Sequence, residues 1–283
     1  YRVFSLRVDE PMPSAHRGAK LGARDLSPRG TLSARYRVDL GDLERPDHIS
    51  WFTGVQVGHQ FKLALGGYSG WQVPNTPSRF ATIAGAMPDA FGETAQTQIP
   101  LPHSNGDSVK YGRLVKTANG QAALFTIQDR VPKLMVIDGP TIVAPRAASS
   151  EIGDAIAVDS SVWGLYTQLG GGALQLRRFD LVTERTDAAI TVAQTDGQHS
   201  APKLVYAGDR IGIFWIQTVG SQAIAYVRWM EQDGEFIGPQ VPLSHGVNAV
   251  RGPISPAWDG QRTAFVYVTD GGLVFKRGDI QCW

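Results

Sequence analysis

The stretch Asp259-Gly-Gln-Arg-Thr-Ala-Phe-Val-Tyr-Val268 joins a turn to an apolar, aromatic run, and this arrangement occurs repeatedly along the chain. Three further turns lie between an apolar run and a second, more aromatic one: Asn119-Gly120, Asp159-Ser160 and Gly208-Asp209. Successive turns are separated by about 40, 49 and 51 residues, a period longer than that of most solenoids. The sequence therefore predicts a repeated β unit.

Each turn is followed by two runs that we interpret as a hairpin. These pairs are 122–127 with 133–137, 162–168 with 174–179, 211–216 with 224–229, and 263–268 with 273–276. A further strand precedes each turn, and a short apolar element follows the hairpin in every unit except the last. With the hairpin, these elements make a unit of four strands. Gly and Pro interrupt most windows of helical length, so we expect an all-β protein.

Four-stranded units at this spacing resemble the blades of β-propeller repeat proteins. The resemblance rests on the four turns and covers 109–277, whereas the first third is less regular, with candidate strands at 31–38 and 79–84. It implies a single β-propeller domain over residues 1–283 with six four-stranded blades of about 47 residues, or five as the alternative. The chain lacks signature motifs of the tryptophan–aspartate repeat, sialidase and integrin types, so the resemblance implies a fold and no activity.

The two ends of the chain suggest how such a ring closes. The last unit lacks its fourth strand, while the chain opens with the alternating run Tyr1-Arg-Val-Phe-Ser-Leu-Arg-Val8, which has no evident partner of its own. Pairing 2–8 with 273–276 completes the last blade and removes an exposed sheet edge. We therefore predict a ring closed by the N-terminal strand.

Composition excludes several classes of function. Lys and Arg number 27 against 26 Asp and Glu, a formal charge of +1 that predicts no nucleic-acid partner. No apolar run approaches the roughly 20 residues of a membrane span, and the single cysteine, Cys282, closes no intramolecular bridge. The start at Tyr1 without methionine fits either a mature exported protein or a trimmed chain, and we expect a secreted or periplasmic protein. The motif searches identify no cofactor and no metal site.

Histidines occupy matching places in the repeat. Ile99-Pro-Leu-Pro-His103 and Val241-Pro-Leu-Ser-His245 are near-copies, and His199 is a looser relative. In a propeller, the connection from the outer strand of one blade to the inner strand of the next crosses one face towards the central channel. We expect the three histidines at this channel mouth, where imidazoles bind ligands, hold transition metals or act as general bases. The alternative is that they are solvated loop residues or caps of inner strands.

Carboxylates form a second candidate set. Asp107, Glu151, Asp154 and Asp196 lie in or beside the predicted inter-blade connections. A close pair of carboxylates performs general acid and base chemistry on a glycosidic bond. The alternative is that these residues form turns by bonding their own backbone.

Aromatic residues form the third set. Trp51, Tyr68 and Trp71 fall in a Gly-rich region where no core pattern requires them, and exposed aromatic faces stack on sugars or anchor proteins. Other tryptophans occupy strand positions and are predicted to pack between or within blades: Trp215, Trp229 and Trp258.

These observations favour an exported recognition module that binds carbohydrate or a protein partner through one propeller face. The alternative is a polysaccharide-active hydrolase or lyase that uses the channel-mouth histidines and carboxylates. A third hypothesis is a scaffold for assembly.

Overall fold

The chain folds into two compact units, Tyr1–Ser108 and Val109–Trp283. The computed structural model describes the following residues: 2–8, 19–25, 36–39, 48–58, 60–68, 79–84, 111–128, 130–137, 139–144, 150–168, 170, 172–244 and 249–278. All regular structure in this described part is β-strand, as predicted. None of the described residues form a helix with the length and apolarity needed to cross a membrane.

The first unit contains two antiparallel sheets of three strands among its described residues. The first sheet has the strands β1 (Arg2–Val8), β2 (Ala19–Asp25) and β3 (Tyr36–Asp39). The second sheet has β4 (His48–Val57), β5 (Gln60–Tyr68) and β6 (Arg79–Ala84). The strand predicted at 79–84 is confirmed, whereas the hairpin of β4 and β5 was not predicted.

The expectation that the N-terminal strand has no local partner is wrong. β2 pairs with the whole of β1, with Arg2 opposite Asp25 and Val8 opposite Ala19. Lys20, Gly22 and Arg24 weaken the strand signal of β2, so this pairing was not visible in the sequence. Pairing of residues 2–8 with residues 273–276 would use the edge of β1 that does not face β2, and it stays a prediction.

The second unit contains four antiparallel sheets in its described part, with the strands of each following chain order. The third sheet has β7 (Tyr111–Lys116), β8 (Ala122–Gln128), β9 (Val131–Val136) and β10 (Thr141–Val143). The fourth has β11 (Ser150–Val158), β12 (Ser161–Gln168) and β13 (Ala173–Asp180), with β14 (Arg185–Thr186) and β15 (Ile190–Gln194) both beside β13. The fifth has β16 (Gln198–Ala207), β17 (Arg210–Val219), β18 (Gln222–Glu231) and β19 (Phe236–Pro242). The sixth has β20 (Ser255–Trp258), β21 (Thr263–Thr269) and β22 (Gly272–Gly278).

The four predicted turns are confirmed, and each joins the first two strands of its sheet. Each turn contains a residue with positive φ: Gly120 at 80°, Asp159 at 49°, Gly208 at 78° and Gly260 at 97°. Glycine adopts this region without steric cost, and Asp tolerates it better than most other residues. Turn chemistry thus fixes the start of each hairpin.

Neighbouring sheets of the second unit pack face to face through three hydrophobic clusters. Phe125 of the third sheet meets Phe179 of the fourth edge to face, with ring centroids 5.8 Å apart. A second cluster joins the fourth and fifth sheets, and Phe214 contacts Phe265 between the fifth and sixth at 5.7 Å. Gly164 leaves room for the Phe125 ring, since a Cβ there would overlap it. Close packing therefore holds each of the four sheets against the next one along the chain.

The predicted packing role of Trp215 and Trp229 is confirmed, with 0% and 4% of each residue exposed. Trp215 stacks on Tyr226 with ring centroids 5.7 Å apart.

We predict that Trp215→Ala lowers the free energy of unfolding by about 3 to 5 kcal/mol, because it removes a fully buried ring and leaves a cavity. Urea unfolding followed by fluorescence and circular dichroism measures the change. The matched control is Val182→Ala, since Val182 is 77% exposed. A loss below about 1 kcal/mol at Trp215 would contradict the packing described above.

Candidate functional site

Each sheet has two distinct ends. The leading end is the end where its first strand begins, and the turn end is where the first strand turns into the second. Because strand direction alternates, the hairpin between the second and third strands also lies at the leading end. Ser150 pairs there with Gln168 in the fourth sheet, and Gln198 pairs with Thr218 in the fifth.

First strands of neighbouring sheets contact each other in the second unit. β7 contacts β11, β11 contacts β16, and β16 contacts β20. The convergence of the connections between sheets at a channel mouth stays a prediction.

Three first strands carry a β-bulge near the leading end. The pairing shifts between Ile49 and Trp51 in β4, between Ser150 and Gly153 in β11, and between Ser200 and Lys203 in β16. A bulge adds a residue to one strand, bends it and changes the direction of nearby side chains, and bulges are common beside binding sites. The first strands of these three sheets are thus irregular near their leading ends.

His199 lies within β16 beside its bulge, not in a connection as the sequence analysis expected. Only 3% of the residue is exposed, and its ring lies edge-on to Trp215 with centroids 6.5 Å apart. Its ring therefore belongs to the packed interior between sheets. His103 and His245 lie outside the described residues, so the histidine ring at a channel mouth stays a prediction.

Asp154 also lies inside a strand, β11, and not in a connection. Its Oδ2 accepts the backbone N–H of Leu204 on β16 at 2.9 Å, and its Oδ1 lies 3.3 Å from Nε of Arg113 on β7. The Asp154 side chain is 2% exposed. One carboxylate therefore links three neighbouring first strands, while the ligand-binding role suggested by the sequence stays a prediction. Asp107 lies outside the described residues.

Trp51 and Tyr68, which the sequence analysis placed in a Gly-rich region, lie in the strands β4 and β5. Trp51 is opposite Gly66 directly after the bulge of β4, and Tyr68 ends β5 opposite His48. Both residues therefore belong to the leading end of the second sheet. Trp71 lies outside the described residues.

Cations at one register position of the third strands link neighbouring sheets, a feature that sequence reasoning missed. Arg228 Nη1 donates to the carbonyl of Val192 at 2.7 Å, and Lys276 Nζ donates to the carbonyl of Leu243 at 2.6 Å. Each acceptor lies in or directly after the last strand of the preceding sheet. Burial lowers the pKa of Arg228 from its ordinary value because desolvation disfavours the charged form.

The corresponding cation of the fourth sheet is Arg177, which is 4% exposed. Its Nη1 donates to the carbonyl of Asp187 at 2.7 Å, within its own sheet. Within the described part of the chain, no group of three or more His, Cys, Asp or Glu side chains is arranged to hold a metal ion.

No protein-family model matches this chain, and no curated protein matches it. Solved structures do match. An alpha-L-arabinanase from Penicillium chrysogenum, complexed with arabinobiose, gives a TM-score of 0.58 at 12% identity, covering 81% of this chain and 77% of that chain. The hydrazine synthase of Kuenenia stuttgartiensis gives 0.56 at 10% identity, covering 88% of this chain and 70% of that chain. Virginiamycin B lyase from Staphylococcus aureus gives 0.54 at 12% identity, covering 92% and 74%.

The arabinanase and the lyase are propeller proteins, and this chain shares their fold. The class of protein predicted from the repeated turns, a β-propeller repeat protein, is thereby confirmed. Identities of 10% to 12% carry the fold alone and assign no activity.

We predict that Asp154→Ala lowers the free energy of unfolding by about 2 to 3 kcal/mol, because it leaves the buried N–H of Leu204 without its charged acceptor. The Arg113 contact adds little, since that guanidinium is 45% exposed. Asp154→Asn is the matched control, because its amide oxygen still accepts the N–H. Equal losses in the two variants, measured by urea unfolding, would contradict this account.

Proposed function

We propose that this protein is a recognition module that binds carbohydrate through the leading ends of its sheets. The observation that carries the proposal is the placement of Trp51 and Tyr68 at one leading end, beside the bulge of β4. Aromatic rings at such a position stack on the apolar faces of sugar rings.

The topology supports this choice of surface. First strands of neighbouring sheets, from the third to the sixth, contact each other, and we infer that their leading ends lie on one side of the second unit. Loops gathered at one side of a rigid β scaffold are a common place for ligand binding. The solved arabinanase with arabinobiose supports the proposal only by showing that a propeller of this kind accommodates a sugar.

Binding is favoured over catalysis by what Asp154 does. Most polysaccharide hydrolases use two carboxyl groups that face the scissile bond. The Asp154 carboxylate is buried against Leu204 and Arg113 and is thus poorly placed for that role. We extend the proposal to export from the cytoplasm, since free polysaccharide is encountered outside it.

We also propose that the six sheets are six blades of one ring, closed by β1 beside β22. This proposal rests on the sixth sheet, which has three strands among the described residues, and on the cost of leaving a sheet edge unpaired.

Ring closure predicts a cross-strand disulfide in a Cys282→Ser background. Phe4→Cys combined with a cysteine at one of the positions from Leu273 to Lys276 should cross-link on oxidation, because paired strands bring Cβ atoms within disulfide range. Phe4→Cys with Val182→Cys is the control. If no pair cross-links faster than this control, β1 does not close the ring.

Carbohydrate binding predicts that Trp51→Ala weakens the affinity for a bound oligosaccharide about tenfold or more, through loss of ring stacking. A glycan array identifies the oligosaccharide, and titration calorimetry measures affinity. Val182→Ala is the control, since Val182 is 77% exposed and follows β13 at the turn end of the fourth sheet. Absence of glycan binding would contradict the proposal, selective capture of a protein would favour a protein partner, and release of new reducing or unsaturated ends would favour the enzyme.

A further inference from the structure

Five glutamines gather at the leading ends of the fourth and fifth sheets. We name them the amide patch: Gln168, Gln194, Gln198, Gln217 and Gln222. They come from the ends of β12 and β15, the start of β16, the end region of β17 and the start of β18. No sequence motif joins them, since they are spread over a long segment of the chain.

The connection between the two sheets is held in one geometry. The backbone N–H of Thr195 donates to the carbonyl of Gly172 at 2.9 Å, which ties the connection to the hairpin of the fourth sheet. Gln217 Nε2 donates to Oγ1 of Thr195 at 3.3 Å, which ties it to the fifth sheet. Gly197 packs so closely on the Thr218 carbonyl that a Cβ there would overlap it. The patch is therefore built on anchored backbone.

The patch presents its side chains to solvent. Gln194, Gln198 and Gln222 are exposed, and Gln168 and Gln217 are half-buried. Gln198 lies opposite Thr218, so a hydroxyl residue pairs with an amide residue there. This surface therefore carries both side-chain amides and side-chain hydroxyls, which form hydrogen bonds with polar ligands.

The two ends of these sheets differ in charge. The turn ends carry many charged residues: Asp159, Asp180, Glu184, Arg185, Asp209, Arg210, Glu231, Asp233 and Glu235. At the leading ends of the same two sheets, the described charged residues are fewer: Glu151, Asp196 and, directly after the bulge of β16, the half-buried Lys203.

This chemistry selects a class of ligand. A glutamine amide offers two donors and an acceptor, which matches a sugar hydroxyl that both donates and accepts. Anionic sugars are bound most strongly by clustered Arg or Lys side chains, whereas these leading ends carry one lysine against two acidic residues in the described part of the chain. We propose that the amide patch is a binding subsite for an uncharged oligosaccharide. This inference rests on the proposed carbohydrate recognition and specifies its ligand class and residues.

The test uses the full chain and two soluble probes, a linear neutral arabino-oligosaccharide and an oligogalacturonate of equal length. Side-chain amide resonances of ¹⁵N-labelled protein report contact with glutamines directly, and titration calorimetry reports affinity. We expect the neutral probe to shift amide resonances that disappear in the Gln198→Ala, Gln222→Ala double variant, and to bind that variant about tenfold more weakly. The control is Gln261→Ala, an exposed glutamine at the turn end of the sixth sheet.

The outcomes separate this inference from the function on which it rests. Unchanged affinity in the double variant, with loss in Trp51→Ala, overturns the amide patch and leaves carbohydrate recognition standing. Preference for the oligogalacturonate overturns the neutral ligand class. Failure of the parent protein to bind either probe, or any glycan on an array, overturns both proposals.

Discussion

Burial of both faces is the constraint on which the second unit depends. The fourth and fifth sheets each lie between two neighbours, so their strands β12 and β17 are buried along most of their length. A strand buried on both sides loses the alternation of a half-exposed strand and becomes a continuous apolar run. Facing sheets then pack closely only where a large side chain of one sheet meets a small residue of the other. Gly164 is such a small residue, since it leaves room for the ring of Phe125.

The same constraint explains how much of the fold was predictable. Continuous apolar runs bounded by Asn, Asp and Gly turns located most strands of the second unit. β2 and the hairpin of β4 and β5 were missed, since Lys20 and Arg24 weaken one signal and Gly66-Gly67 interrupts the other. The bulges were also not predicted from the sequence. Through them β11 and β16 extend beyond their apolar runs, so Asp154 and His199 lie in strands and not in the expected loops.

The candidate site was predictable only in part, because strand register decides which side chains lie together at the end of a sheet. Sequence reasoning selected Trp51 and Tyr68 for their chemistry, and pairing shows that both belong to one end of one sheet. The glutamines gave no signal, since they become neighbours only after strands from two sheets have been aligned. His199 was expected in a connection and lies buried in β16, because spacing in a repeat fixes neither the start of a strand nor burial.

The cations of the third strands have an evolutionary consequence. Arg228 and Lys276 hold the preceding sheet by a backbone carbonyl, and every residue type supplies that acceptor. The bond itself therefore places no demand on the side chain of the accepting residue, while the donor has to persist. Copies of such a unit remain compatible after their outer strands diverge, which permits duplication of blades without matched changes in the neighbouring copy.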